Sequence, residues 1–126
     1  MFEIDKDKTI HLTRGDIASM EVGVTDAEGK DYKFVTGDVV RFKVFEKKNH
    51  SNVVLQKDIM LEGETTILDI VLNSEDTTIG DIIDKPKEYW YEIELNPDTA
   101  PQTVVGYDED GAKVLKLYPE GGDVND

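Results

Sequence analysis

The sequence predicts an all-β domain of the sandwich or barrel class. Three observations lead there. Apolar residues recur at every second position in run after run, turn residues separate the runs roughly every 8–12 residues, and only one short segment reads as helical.

Taken in order, Ile10 and Leu12 alternate with Thr9, His11 and Thr13. The polar, Gly-containing Thr13-Arg14-Gly15-Asp16 then reads as a strand-to-strand turn. Ala18, Met20, Val22 and Val24 alternate with Ser19, Glu21 and Gly23, and Asp26-Ala27-Glu28-Gly29 reads as a hairpin tip. Thr36-Gly37-Asp38 breaks the chain before Val40, Phe42 and Val44, which alternate with Arg41 and Lys43. Val53, Leu55, Ile59 and Leu61 form a longer run that Lys57 interrupts, and Leu68, Ile70 and Leu72 follow. Asn73-Ser74-Glu75-Asp76 has the N-cap and acidic first turn of a helix, which predicts one short helical turn near 75–83. Tyr89, Tyr91, Ile93 and Leu95 alternate with Glu88, Trp90, Glu92 and Glu94, and Asn96-Pro97-Asp98 ends that strand. Runs at 103–107 and 113–117 flank a second tip at Asp108-Glu109-Asp110-Gly111. About seven to nine strands result. Residues 1–126 form a single domain with its core at about 8–120, and the polar, Gly-rich 120–126 frays.

Charge patterning gives one pairing. Arg41 and Lys43 share the outer face of their strand, Glu92 and Glu94 that of theirs, so strands 39–46 and 88–95 are expected to be neighbours at the centre of one sheet.

Composition narrows the function. The chain has 126 residues, enough for a core without staples, with 38% hydrophobic and 33% charged residues. Acidic residues outnumber basic ones 28 to 14, a net charge of −14 that repels phosphate backbones and anionic lipid, so no nucleic-acid or membrane partner is expected. Absence of cysteine excludes disulfides, thiolate catalysis and Cys-based zinc sites. The first eight residues alternate charges without an apolar stretch, so neither an export signal nor a membrane span is expected.

Catalysis has few candidates. His11 and His50 are the only histidines, and no Gly-x-Ser-x-Gly elbow is present, so both read as solvated side chains. With 28 acidic residues any carboxylate pair can be nominated, and none sits in an apolar context. Asp108-x-Asp110-Gly111 begins like a calcium loop but lacks its remaining ligands, and Asp5-x-Asp7 is shorter still. No metal, no cofactor and no enzymatic activity are expected. Arg14-Gly15-Asp16 is the integrin-adhesion tripeptide, yet its setting between two strands makes it a structural turn. Tyr89 and Tyr91 point inward, which turns Trp90 outward among glutamates as the candidate contact residue.

The order of these motifs resembles a known family. Ile10-His11-Leu12-Thr13-Arg14-Gly15-Asp16, Gly37-Asp38-Val39-Val40-Arg41-Phe42-Lys43-Val44, Ser74-Glu75-Asp76-Thr77, Tyr89-Trp90-Tyr91-Glu92-Ile93-Glu94-Leu95 and Val114-Leu115-Lys116-Leu117-Tyr118-Pro119-Glu120 succeed one another. Together they resemble the immunoglobulin-like N-terminal domain of bacteriophage baseplate upper proteins, over roughly residues 8–120. The resemblance implies an immunoglobulin-like antiparallel β-sandwich and a non-enzymatic structural protein of a phage or prophage tail. Its partners would be other tail or baseplate proteins and further copies of itself, and its location the virion after synthesis in the bacterial cytoplasm. The family brings no catalytic residues. Such domains often precede segments that oligomerise or bind the host, and this chain ends soon after Pro119, which favours docking over receptor presentation. The alternative is a carbohydrate-binding or adhesion module in which Trp90 stacks on a sugar ring.

Overall fold

The computed structural model describes residues 2–5, 8–25, 28–108 and 111–120, with the side chains of Tyr107 and Asp108 excepted. Its strands are β1 (Phe2–Ile4), β2 (Ile10–Thr13), β3 (Ala18–Val22), β4 (Val39–Phe45) and β5 (Val53–Met60). They continue with β6 (Leu68–Leu72), β7 (Lys87–Leu95), β8 (Gln102–Val105), β9 (Tyr107–Asp108) and β10 (Gly111–Tyr118), and one helix, α1 (Ser74–Thr77), lies between β6 and β7.

Strict alternation decides the layers. A strand presents every second side chain to one face. Met20 and Val22 of β3, Ile70 and Leu72 of β6, Phe42 and Val44 of β4, Tyr89 and Tyr91 of β7, and Leu115 and Leu117 of β10 are therefore all buried between two sheets. The larger sheet curls and runs β1-β2-β10-β7-β4-β5, with β8 beside β7 and β9 beside β10. The smaller sheet, among the described residues, is β3 against β6. Opposing these two strands to β4, β7 and β10 gives an all-β sandwich or half-barrel whose second sheet has two described strands.

Four details differ from expectation. The sandwich is not wholly antiparallel, because β10 pairs β2 in parallel, Leu115 opposite Ile10 and Leu117 opposite Leu12. These are the first and last core strands, so no hairpin fixes their relative direction. Ten strands occur among the described residues, against the about seven to nine expected. β1 carries too many charged neighbours to show an apolar pattern and is held by its ladder to β2. The hairpin of β9 with β10 adds the other, closing across 109–110, which lie outside the described residues.

The third difference is the helix, which covers 74–77 and not 75–83. It begins as expected, with a capping box: the Asn73 side chain accepts from the Asp76 N–H, and the Asp76 carboxylate accepts from the Asn73 N–H. It stops because Gly80 takes φ +64 and the Ile79 and Gly80 carbonyls receive the Arg14 guanidinium. The fourth concerns the charges. β4 and β7 are neighbours, with Arg41 opposite Glu94 and Lys43 opposite Glu92, and β7 is central while β4 lies one strand from the edge. The ion pairs do not follow that register. Lys43 reaches diagonally to Glu94 at 3.8 Å, Arg41 binds Asp58 and Asp98, and Glu92 binds His50.

Lys57, which breaks its apolar run, lies opposite Phe42 and reaches Asp76 of α1 at 2.9 Å. At one end of the sandwich Asp38 is a hub. Its carboxylate accepts from the Tyr32 hydroxyl, the Val35 N–H and the Asn96 amide. Burial pushes this carboxyl up, and the three hydrogen bonds outweigh it and hold it below the usual carboxylate range. No helix among the described residues is long and apolar enough to cross a membrane.

Candidate functional site

The turn after β2 is locked into the fold. Gly15 takes φ +87, the Gly15 carbonyl accepts from the Ser74 hydroxyl, and the Asp16 carbonyl accepts from Thr77 Oγ1. Arg14 is 7% exposed. Its Nε donates to the Ile79 carbonyl at 3.1 Å, Nη2 to the Gly80 carbonyl at 2.6 Å and Nη1 to Glu120 Oε1 at 2.6 Å. The guanidinium thus ties the end of β2 to the loop after α1 and to the residue that follows Pro119. Glu120, placed in a fraying tail by sequence, is anchored; residues 121–126 lie outside the described residues. Asp16 itself is exposed.

Trp90 faces outward from β7, between Phe45 of β4 and Val114 of β10, and is half-buried. Its neighbour Phe45 was invisible to alternation. Val44 lies in the core, and Phe45, on the outward parity opposite Trp90, is buried outside the main core cluster under the His50 ring, 4.5 Å away and nearly coplanar; the register shift beside it passes over Val54 on the β5 side.

Neither histidine is solvated, contrary to the sequence reading. His50 Nδ1 lies 3.0 Å from Glu92 Oε1, with the imidazole 14% exposed. His11 lies between Asp5 Oδ2 at 2.8 Å and the Tyr118 hydroxyl at 2.7 Å. His11 meets its carboxylate from β2, and His50 from the turn between β4 and β5. No group of three metal-ligating side chains occurs among the described residues. Asp5 is engaged with His11, while Asp7, Asp110 and the Asp108 side chain lie outside the described set, as do 26–27 of the first hairpin tip. That tip is closed by a bridge between Thr25 and Asp31.

Two features escaped the sequence reading. The first is the outer face of the β3–β6 sheet. Ile17 is 71% exposed, Ile67 55% and Val71 50%. Ile17 and Val71 stand diagonally across the ladder at one end, Ile67 at the other, and Glu21 lies directly opposite Asp69 between them. The available signal was an apolar residue on the polar parity of each strand. The second is the seam where the small sheet meets the large one. A cavity of about 160 Å3 lies among Ile4, Ile10, Met20, Val22, Tyr91 and Ile93, and another of about 290 Å3 adjoins it between 23–25 and β8, with Lys8, Gly23 and Val105 common to both. Lys113, 6% exposed on β10 opposite Tyr91, is a buried charged residue that the sequence reading did not single out.

No protein-family model matches the chain, and neither a curated protein nor a solved structure is significantly similar to it.

Proposed function

We propose that the chain is a non-catalytic structural domain that docks other components of a phage or prophage tail or baseplate. One observation carries the docking part: the two-stranded sheet presents Ile17, Ile67 and Val71 to solvent on a protein of net charge −14. Apolar side chains grouped on one face of so polar a surface favour a protein partner. The tail assignment rests on the motif order from Ile10 to Glu120. Mass spectrometry of particles released by prophage induction tests it. Stoichiometric presence of the chain supports the assignment, and absence from particles that contain other tail proteins overturns it.

The half-exposed Trp90, flanked by Glu88 and Glu92 on its strand, favours sugar stacking as the second reading. Glycan binding that changes Trp90 emission would support it, and a Trp90→Ala variant with unchanged glycan binding would remove it.

A further inference from the structure

We propose that the free edge of β3 is the seat for an extended segment of a partner protein, which adds a third strand to the small sheet and alternates apolar and basic side chains. This deepens, and rests on, the docking reading above.

The edge comes first. Among the described strands β3 pairs only with β6, and no other described backbone group bonds to residues 17–23. Exposed edges are usually blunted by proline, bulges or several charges. β3 reads Ala-Ser-Met-Glu-Val, and Glu21 is its one charge. An unblunted edge with unpaired N–H and C=O groups is what strand addition uses.

The seam supplies the second argument. The 160 Å3 cavity lies beside this edge, against Met20 and Val22, with Ile10 and Ile93 on its far side. A strand laid on β3 turns alternate side chains inward, and the space holds one aliphatic side chain. The cavity opens onto its 290 Å3 neighbour at Val105, so the groove continues past the end of β3 toward β8.

Charge selects the occupant. Glu21 and Asp69 are directly opposed across the ladder, both exposed, and neither has an ion-pair partner among the described residues. Like charges in that position destabilise a sheet. A basic residue on the added strand, opposite Glu21, relieves the repulsion, and its two neighbours then point inward beside Met20 and Val22. A second copy of this chain carries the same charge of −14 and is repelled, which leaves a partner of opposite local charge.

The test uses a capped heptapeptide alternating lysine and valine, and a lysine–serine peptide of equal charge. Amide hydrogen exchange on the whole chain is the readout. The lysine–valine peptide is expected to protect amides of 18–23, with Trp90 emission unchanged because Trp90 faces away from the seam. Glu21→Lys, on an exposed position where it forms a pair with Asp69, is expected to keep the fold and weaken binding by at least about tenfold. Val105→Phe, which narrows the groove, is expected to weaken binding while leaving the Glu21 charge in place. Equal binding of the lysine–serine peptide, protection outside β3, or unchanged affinity in Glu21→Lys each overturns the proposal. Loss of the seat while the chain still enters tail particles leaves the docking reading standing; peptide binding by a chain absent from those particles does the reverse.

Discussion

Replacing Arg14 by lysine separates an adhesive tripeptide from a structural clamp. The guanidinium makes three hydrogen bonds from a position only 7% exposed: to the Ile79 and Gly80 carbonyls and to Glu120. A lysine ammonium is a compact point donor and cannot span the two carbonyls with a planar fork. It recovers one of them and leaves the other without its charged donor. Hydrogen bonds to charged groups contribute about 1.5–3 kcal/mol each. The bond to Glu120 is worth less, about 0–1 kcal/mol, because that carboxylate is 55% exposed. Arg14→Lys is therefore expected to cost about 2–3 kcal/mol, which at this chain length lowers Tm by roughly 10 °C. Glu120→Gln should cost under about 1 kcal/mol. Denaturant unfolding monitored by Trp90 fluorescence measures both. If Arg14→Lys proves no more costly than Glu120→Gln, the two carbonyl bonds are not what holds the loop after α1, and the clamp argument fails.

Other outcomes follow from the same geometry. The carboxyls of Asp38, Asp58 and Asp76 are all held below their ordinary value of 3.8. For Asp38 and Asp76 burial opposes this and hydrogen bonds prevail; for Asp58 the Arg41 guanidinium is the leading cause. A depressed carboxyl stabilises the fold above its unfolded pKa, so stability should hold from neutrality to about pH 4 and fall as the pH drops further through the folded values. Asp38→Asn is expected to flatten that acid limb and lower stability at neutral pH, as read by urea titration across pH. Tyr32, pushed above 10.0 mainly by its bond to Asp38, gives the opposite edge: its contribution is present below that value and lost as the pH rises through the raised one, and Tyr32→Phe should abolish this alkaline loss. Gly80→Ala should cost about 1–3 kcal/mol by thermal unfolding, because a Cβ there lies 3.0 Å from the Tyr89 hydroxyl on a backbone at φ +64. Half-burial of Trp90 predicts acrylamide quenching well below that of the unfolded chain.

Period-two patterning made the core legible, because Met20, Phe42, Tyr91 and Leu117 obey one rule, that a buried face recurs every second residue. The helix start was legible for a similar reason: Asn73 and Asp76 satisfy each other locally. Its end was less so: Gly80 is a local signal, but the Arg14 guanidinium that takes the Ile79 carbonyl lies 65 positions away along the chain. The histidines were misread on the same ground. His11 is held by Tyr118, 107 positions on, and His50 by Glu92, 42 positions on, and no local pattern announces either partner. The burial of Phe45 was missed because the ring that covers it on the outer face, His50, comes from the turn between β4 and β5.

That distinction also says why function was the least legible layer. A side chain that catalyses must be of a particular chemical type, and such types can be searched for in a sequence. An edge that pairs needs only backbone groups left open, and whether they are open is decided by which strands lie beside it. β3 and β4 have similar alternation, yet among the described strands β4 is flanked by β5 and β7 whereas β3 has β6 alone. The same holds for the outer face of that sheet. Val71 lies between two core residues, Ile70 and Leu72, and reads as part of one apolar run until its ladder partner, Ser19, shows that it faces solvent. Glu21 and Asp69 are each ordinary surface carboxylates in sequence, and become a like-charged pair only when the register sets them opposite one another. For the docking proposed above, the informative quantity is adjacency between strands, so the edge of β3, which pairs with β6 alone among the described strands, is where experiments on this chain should begin.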